Sequence, residues 1–279
     1  MRQQRRRLDR ELVNRGLAQD EPEALRLIAG RRVLVGGAPA LQPSRMVAPS
    51  DRVAVLRPRP AFVTRGGLKL AGALDDLGIA VEGRRCLDVG AGAGGFTDCL
   101  LQRGAREVVA VDVGYGDFDW SLRNDPRVRL LERVNIRTTD PSLLGPPFDV
   151  IAADLSFISL VAVLDRLVAV AAPGADLVLL VKPQFEAPRA DVASGGVVED
   201  PAVWAGALER VAAALGTRGV GTAAIAPSRL RGAEGNQEFF LWGRGDAGPL
   251  DPAVLDAAVR TGAEALGSAA GRDRTGAPR

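Results

Sequence analysis

Two lysines and two carboxylates carry the chemistry that this sequence could perform. Of its 36 Lys+Arg residues only Lys69 and Lys182 are lysine. Arginine keeps its proton under working conditions, whereas a lysine can be tuned by burial and neighbours. Lys182 closes the apolar run Leu177-Val178-Leu179-Leu180-Val181 and precedes Pro183. Asp154 closes the run 148–153, and Glu238 opens the last one within Asn236-Gln237-Glu238-Phe239-Phe240. Lys69 stands at the head of an amphipathic stretch (Leu70, Ala73, Leu74, Leu77). If the runs are buried strands, their terminal charges emerge together at one rim. Such a cluster suits methyl transfer to a hydroxyl: a ribose 2′-OH is a poor nucleophile until it loses or shares its proton, and a positioned lysine can accept it. The remaining charges would set the state of the cluster as a whole, and in-line positioning would supply much of the rate. Taken singly, each residue also reads as one half of a rim salt bridge.

The co-reactant's seat is the stretch Leu87-Asp88-Val89-Gly90-Ala91-Gly92-Ala93-Gly94-Gly95-Phe96. An apolar strand, a glycine-rich turn and a helix start let backbone approach a nucleotide-like ligand and aim amides at its polar groups. Gly90-x-Gly92-x-x-Gly95 also matches the dinucleotide fingerprint. Asp88 tips the balance, because a carboxylate there repels a pyrophosphate but suits the cationic amino-acid end of S-adenosylmethionine. Asp112, ending Val108-Val109-Ala110-Val111, can take both ribose hydroxyls of either ligand. A dinucleotide and a ligand-free structural turn remain the alternatives.

The absences are equally informative. There is no histidine, which removes Ser-His-Asp and Cys-His catalysis and histidine metal sites. The two cysteines, Cys86 and Cys99, are too few for a disulfide framework or a zinc site and read as packing residues. No metal is expected. No apolar run has transmembrane length and the arginine-rich start lacks a signal-peptide core, so the expectation is a cytoplasmic protein without a membrane partner. Charge is uneven: residues 1–65 hold 14 Arg against 6 Asp+Glu, within an overall net charge of +2. A basic head on an acidic body suggests that the head binds a polyanion.

Along the chain, Arg2, Arg5, Arg6 and Arg7 form an arm expected to be mobile, followed by a short helix with Leu8, Leu12 and Val13 inward and Arg10 and Arg15 outward. Asp20, Pro22 and Glu23 predict the start of a second helix that stops at Gly30. Val33-x-Val35, Gly36-Gly37 and Val53-x-Val55 predict a small sheet beyond Arg31-Arg32. Pro58-Arg59-Pro60 reads as a stiff linker. Strands are then expected at 107–112, 127–131, 148–154 and 175–182, with helices near 96–103, 158–171 and 201–215, an alternation that predicts a parallel sheet covered on both faces. Residues 219–225 and 237–243 read as a closing hairpin, with a short helix beyond Asp251.

The first segment resembles the alpha-L RNA-binding domain, on Arg7-Leu8-Asp9, Leu12, Gly16-Leu17, Leu27-Ile28, Gly30, Val33-x-Val35-x-Gly37 and Asp51-x-Val53-x-Val55. It departs from that pattern where acidic Asp20-Glu21-Pro22 replaces the usual Ser-Arg. Lys69, Asp154, Lys182 and Glu238 resemble the Lys-Asp-Lys-Glu tetrad of FtsJ-like ribose 2′-O-methyltransferases. The chain from Leu8 to Trp242 is similar to the TlyA family, on Arg65-Gly66-Gly67-Leu68-Lys69-Leu70, Val113-Gly114-Tyr115-Gly116, Ala153-Asp154-Leu155-Ser156-Phe157-Ile158-Ser159-Leu160 and Val181-Lys182-Pro183-Gln184-Phe185-Glu186, among others. The resemblance implies a Rossmann-like α/β S-adenosylmethionine-dependent methyltransferase domain with a small N-terminal α+β RNA-binding domain. Its divisions would be 1–57, a linker at 58–64, the methyltransferase at 65–267 and a disordered tail at 268–279. It implies cytidine 2′-O-methylation of small-subunit (16S) and large-subunit (23S) rRNA within ribosomal subunits, the dual-target branch, and a link to capreomycin-type susceptibility. A haemolysin label attached to the family has little physical support in this sequence. The implied donor contacts are Asp88, Gly90, Ala91, Gly92, Gly94, Gly95, Phe96, Asp112, Asn135, Asp154 and Phe157. The implied RNA contacts are Arg2, Arg5, Arg6, Arg7, Arg10, Arg15, Arg31, Arg32 and Arg65. The family's usual Ala-Ser-Thr-Gly-Gly-Phe stands here as Ala91-Gly92-Ala93-Gly94-Gly95-Phe96, two hydroxyls poorer, so donor binding is expected to survive with altered affinity.

Overall fold

The computed structural model describes residues 5–56 and 60–273, with side chains up to residue 265. Arg2, the Pro58-Arg59 part of the expected linker and residues 274–279 of the expected tail lie outside the described residues. The chain divides into two units, Met1–Pro60 and Ala61–Arg279.

In the first unit, β1 (Arg6–Arg7) leads into α1 (Leu8–Asn14) and α2 (Glu21–Ala29), followed by β2 (Val33–Val35), β3 (Ala38–Pro39), β4 (Met46–Val47) and β5 (Val53–Val55). The start of α2 follows the local chemistry. Asp20 accepts from the Glu23 amide at 2.7 Å, and Glu23 accepts from the Gln19 amide at 2.6 Å. β2 is the centre of a three-stranded antiparallel sheet with β3 and β5. Its core is Leu8, Leu12, Ala24, Ile28, Val33 and Val35. The expected mobile arm is corrected in part: Arg6 and Arg7 pair with Val47 and Met46 as a two-stranded ribbon.

In the second unit, Thr64 caps α3 (Arg65–Leu77) by accepting from the Gly66 amide, and Gly78 ends the helix in the left-handed region. Then come β6 (Arg85–Val89), α4 (Gly95–Gln102), β7 (Glu107–Val111), α5 (Trp120–Arg123), β8 (Val128–Leu131), β9 (Phe148–Ala153), α6 (Leu164–Ala169) and β10 (Ala171–Val181). The chain continues with α7 (Pro183–Glu186), α8 (Pro201–Gly216), β11 (Gly221–Pro227), β12 (Phe239–Arg244) and α9 (Pro252–Asp273). One seven-stranded sheet runs β11-β12-β10-β9-β6-β7-β8. The parallel strands are closed at one edge by the expected hairpin of β11 and β12, and β12 runs antiparallel to β10 as well. The helix expected over 158–171 is broken into a 3-10 turn at Leu160–Ala162 and the shorter α6. α9 is longer than expected and runs to Asp273, into the segment read as a tail. Residues 61–64, read as linker, belong to the second unit, where Phe62 and Val63 pack against its core.

Strand parity decides which side chains face which layer. Leu87, Val89, Val109, Val111, Ile151, Ala153, Leu177, Leu179, Val181, Phe239 and Leu241 pack into one core with Trp204, Leu208 and Val211 of α8. Cys86, Val108, Ala110, Val150, Ala152, Val178, Leu180 and Phe240 pack into the other with α3 and α4. Both cysteines are free and buried there, and burial pushes each thiol up to about 12, so they are packing residues and not nucleophiles.

Candidate active site

The tetrad residues continue this parity past the strand ends. Asp154 follows Ala153 of β9, Lys182 follows Val181 of β10, and Glu238 precedes Phe239 of β12, all in step with the face covered by α3. The antiparallel run of β12 brings its first residue, not its last, to the rim where the parallel strands end. Lys69, one turn into α3, completes the group. Two ion pairs result. Lys69 Nζ lies 2.5 Å from Glu238 Oε2, with both residues buried. Lys182 Nζ lies 2.6 Å from Asp154 Oδ1 and donates to Ser156 Oγ at 3.0 Å. The first of these Lys182 contacts is a close ion pair without hydrogen-bond alignment, which leaves Asp154 Oδ1 buried and without a hydrogen-bond partner. A Cβ at Gly232 would sit 2.7 Å from Glu238 Oε1, so any side chain there would push the carboxylate aside.

Lys69, Asp154 and Lys182 line a cavity of about 660 Å³, whose other wall is the glycine turn. At Gly90 (φ +84°) a Cβ would sit 2.2 Å from the Asp154 carbonyl oxygen, so the turn can close on the β9 end only with glycine. Asp112 accepts from the Gly92 amide at 2.7 Å and the Gly114 amide at 2.6 Å, which fixes its carboxylate at the cavity wall. Gly90, Ala91, Gly92, Gly95, Phe96, Asp112, Asn135, Asp154 and Phe157 of the expected donor contacts all line the cavity. Two do not. A Cβ at Gly94 would point into Leu122 and Phe118, away from the cavity. Asp88 shares the parity of Cys86, so it faces α4, is fully buried and accepts from Thr97 Oγ1 at 2.7 Å. Burial, augmented by the negative charges of Asp154 and Asp112, pushes Asp88 up to about 7, and its Oδ1 has no hydrogen-bond partner.

Phe157 is not a core residue. It is 90% exposed, lies in the left-handed region (φ +64°) and packs against Phe185 at 5.3 Å between ring centroids. A bulky residue held there is strained, and such strain persists where the surroundings over-determine it. The determinant is Glu186, which accepts from Ser159 Oγ at 2.5 Å and from the Leu160 amide at 2.6 Å, tying the loop after β9 to α7. Burial raises the Glu186 carboxyl above the ordinary range. Sequence reasoning missed Ser156, Thr64 and Arg231 as cavity residues. Serine beside Asp154 was visible in the motif but carried no charge to single it out, and Arg231 was one arginine among many.

The expected RNA contacts divide. Arg5, Arg6, Arg7, Arg10 and Arg31 are exposed and Arg32 partly so. Arg7 pairs with Asp9 at 2.6 Å. Arg15 is turned into the fold, bonding Glu11 and the carbonyls of Asp51 and Ala48. Arg31 is held in the left-handed region at φ +56°. Arg65 is exposed at the cavity of the second unit.

Residues 62–245 match the FtsJ-like methyltransferase family and residues 6–53 match the S4 domain. The chain is 50% identical over 242 residues to the 16S/23S rRNA (cytidine-2'-O)-methyltransferase TlyA of Mycobacterium tuberculosis, covering 85% of this chain and 89% of that protein. It is 33% identical to the 23S rRNA (cytidine-2'-O)-methyltransferase TlyA of Campylobacter jejuni, over 65% of this chain and 70% of that protein. A solved chain from Streptococcus thermophilus, provisionally named a hemolysin, superposes with a TM-score of 0.72 at 31% identity, covering 95% of this chain and 98% of that one. A tetrad on one sheet face, a glycine-walled cavity and an S4 domain ahead of both thus coincide with these similarities: the chain belongs to the FtsJ-like methyltransferases, in the TlyA family of rRNA (cytidine-2'-O)-methyltransferases.

Proposed function

We propose that this protein methylates cytidine 2′-hydroxyls in the rRNA of both ribosomal subunits, working in the cytoplasm with S-adenosylmethionine as donor. The observation that carries the donor assignment is the placing of Asp112 and Asp154 on the cavity wall by the glycine turn, with Asp88 buried behind it, where their negative charges add to the cost of its burial. A cationic ligand offsets that cost and a pyrophosphate adds to it. The cavity volume also falls in the range of roughly 300–1,000 Å³ usual for small-molecule sites. Bound there, S-adenosylmethionine would supply an electrophilic methyl group. Asp112 keeps lone pairs beyond its two amide bonds for ribose hydroxyls, and the bare Gly90–Gly92 backbone admits close approach. On the substrate side, Lys182 Nζ is placed to accept the 2′-hydroxyl proton as the oxygen–carbon bond forms and the donor's sulfur–methyl bond breaks, S-adenosylhomocysteine being the leaving group. Asp154 then faces the ammonium so produced, and Ser156 keeps Nζ in place. Glu238 holds the Lys69 side chain in place at the same rim, across the cavity from the glycine turn. The exposed arginines of the S4 unit supply the polyanion affinity.

The test is transfer of radiolabelled methyl from S-adenosylmethionine to unmodified small and large subunits, with Lys182→Ala beside wild type. The expected result is label in cytidine 2′-O-methyl from both subunits, reduced by about 10²–10⁴-fold in the variant. Label in large subunits alone would overturn the dual-target reading, which rests on similarity to the dual-named relative. No label with donor and RNA both bound would leave a non-catalytic RNA-binding protein, and would remove the expected link to capreomycin-type susceptibility.

A further inference from the structure

Four cations line the cavity: Lys69, Lys182, Arg65 and Arg231. The lysines are neutralised by Glu238 and Asp154. Among the described residues, neither Arg65 nor Arg231 has a carboxylate within ion-pair distance. The two are joined, Arg65 Nη2 donating to the Arg231 carbonyl at 3.1 Å. Arg231 Nη1 donates to the Gly235 carbonyl at 3.2 Å, while its Nη2 is buried with no partner at all. The loop holding it is a closed ring: the Gly232 amide donates to the Asn236 carbonyl at 2.9 Å and the Gly235 amide to the Gly232 carbonyl at 3.1 Å. A buried guanidinium nitrogen without an acceptor is rare and costly, and calls for a partner supplied from outside.

We propose that Arg231, with Arg65 beside it, is an anion seat that grips a phosphodiester of the RNA strand next to the reacting ribose. The proposal rests on the RNA-methylating reading of this site. A ribose 2′-oxygen carries its own 3′-phosphate on the adjacent carbon, so a hydroxyl presented to Lys182 brings a negative charge to the same cavity. Guanidinium nitrogens pair strongly with phosphate oxygens, and Arg231 Nη2 is the nitrogen left for one. Arg65 is exposed where Arg231 is half-buried, the gradient expected of a seat that a polymer meets at the cavity mouth and not of one enclosed around a small ligand. The other anion available is the donor's own carboxylate, and the experiment separates the two.

The full-length protein is compared with Arg231→Ala and Arg231→Lys in three measurements: affinity for ribosomal subunits across a salt series, affinity for S-adenosylhomocysteine by calorimetry, and methyl transfer. The expected result for Arg231→Ala is a loss of roughly tenfold or more in subunit affinity, as for a charged hydrogen bond. The slope of log affinity against log salt should fall by about one, with S-adenosylhomocysteine affinity unchanged. Arg231→Lys should keep the slope while losing part of the affinity, and it also serves as the reading if the alanine variant is unstable. A drop in S-adenosylhomocysteine affinity with subunit binding intact would overturn the proposal in favour of the donor carboxylate. Wild-type rates and affinities in both variants would overturn it outright, leaving the methyltransferase reading standing. A wild type that neither binds nor labels subunits would remove both.

Discussion

At the scale of single residues, the cavity is a balance of buried charge. Asp88 is pushed from 3.8 up to about 7. A carboxyl with a raised folded pKa leaves the folded state holding more protons than the unfolded one between those values, so stability falls as pH rises from about 4 to about 7 and levels off above. Thermal melts of the ligand-free protein over that window should show this slope, and Asp88→Asn, which keeps an acceptor for Thr97, should flatten it. Gly90→Ala has no room for its methyl group against the Asp154 carbonyl, and should abolish S-adenosylhomocysteine binding in a calorimetric titration. Glu238→Ala leaves Lys69 buried without its counter-charge, a loss of about 3–5 kcal/mol of stability measurable by denaturant unfolding. All four tetrad residues were legible, because each sits at the end of an apolar run or head of a helix. Asp88 and Gly94 stand outside the cavity lining, which motif spacing could not show, because it does not say which face of a strand or turn a residue takes. Parity with Cys86 decides it for Asp88.

Among the elements, the loop between β9 and the 3-10 turn at Leu160–Ala162 is where local rules bend. It carries Ser156 to Lys182 and holds Phe157 in a strained backbone, with Glu186 as the tether. Glu186→Ala releases both bonds. We expect methyl-transfer kcat to fall about tenfold, consistent with the roughly 1–3 kcal/mol of two lost buried hydrogen bonds, with little change in S-adenosylhomocysteine affinity. Comparable losses in both would assign Glu186 to general folding. This loop also explains the missed helix: the periodicity of 158–171 is helical, but the Glu186 bonds to Ser159 and Leu160 cap a separate short turn and interrupt it. The antiparallel placement of β12 was legible only as a hairpin with β11. Its insertion next to β10 depends on Phe239 and Leu241 on one side and Phe240 on the other finding two cores at once, which no local pattern encodes.

For the whole molecule, the charge asymmetry read from composition coincides with the division after Pro60. The S4 unit presents basic residues on a small core, and one of them is held at a conformational cost. Arg31 occupies the left-handed region, where glycine is favoured by about 1–2 kcal/mol. Arg31→Gly should therefore raise the melting temperature of the protein while weakening its affinity for ribosomal subunits in a salt-dependent way; a gain in stability with unchanged subunit binding would count against a role for this arginine in RNA contact. The order in which the rim is built has a temporal side as well. Asp154 and Lys182 trail their strands, but Glu238 leads β12 and is translated long after Lys69, Asp154 and Lys182. A nascent chain that has not yet delivered β12 keeps Lys69 without its counter-ion and one wall of the rim open, so the site matures only after most of the polypeptide has left the exit tunnel.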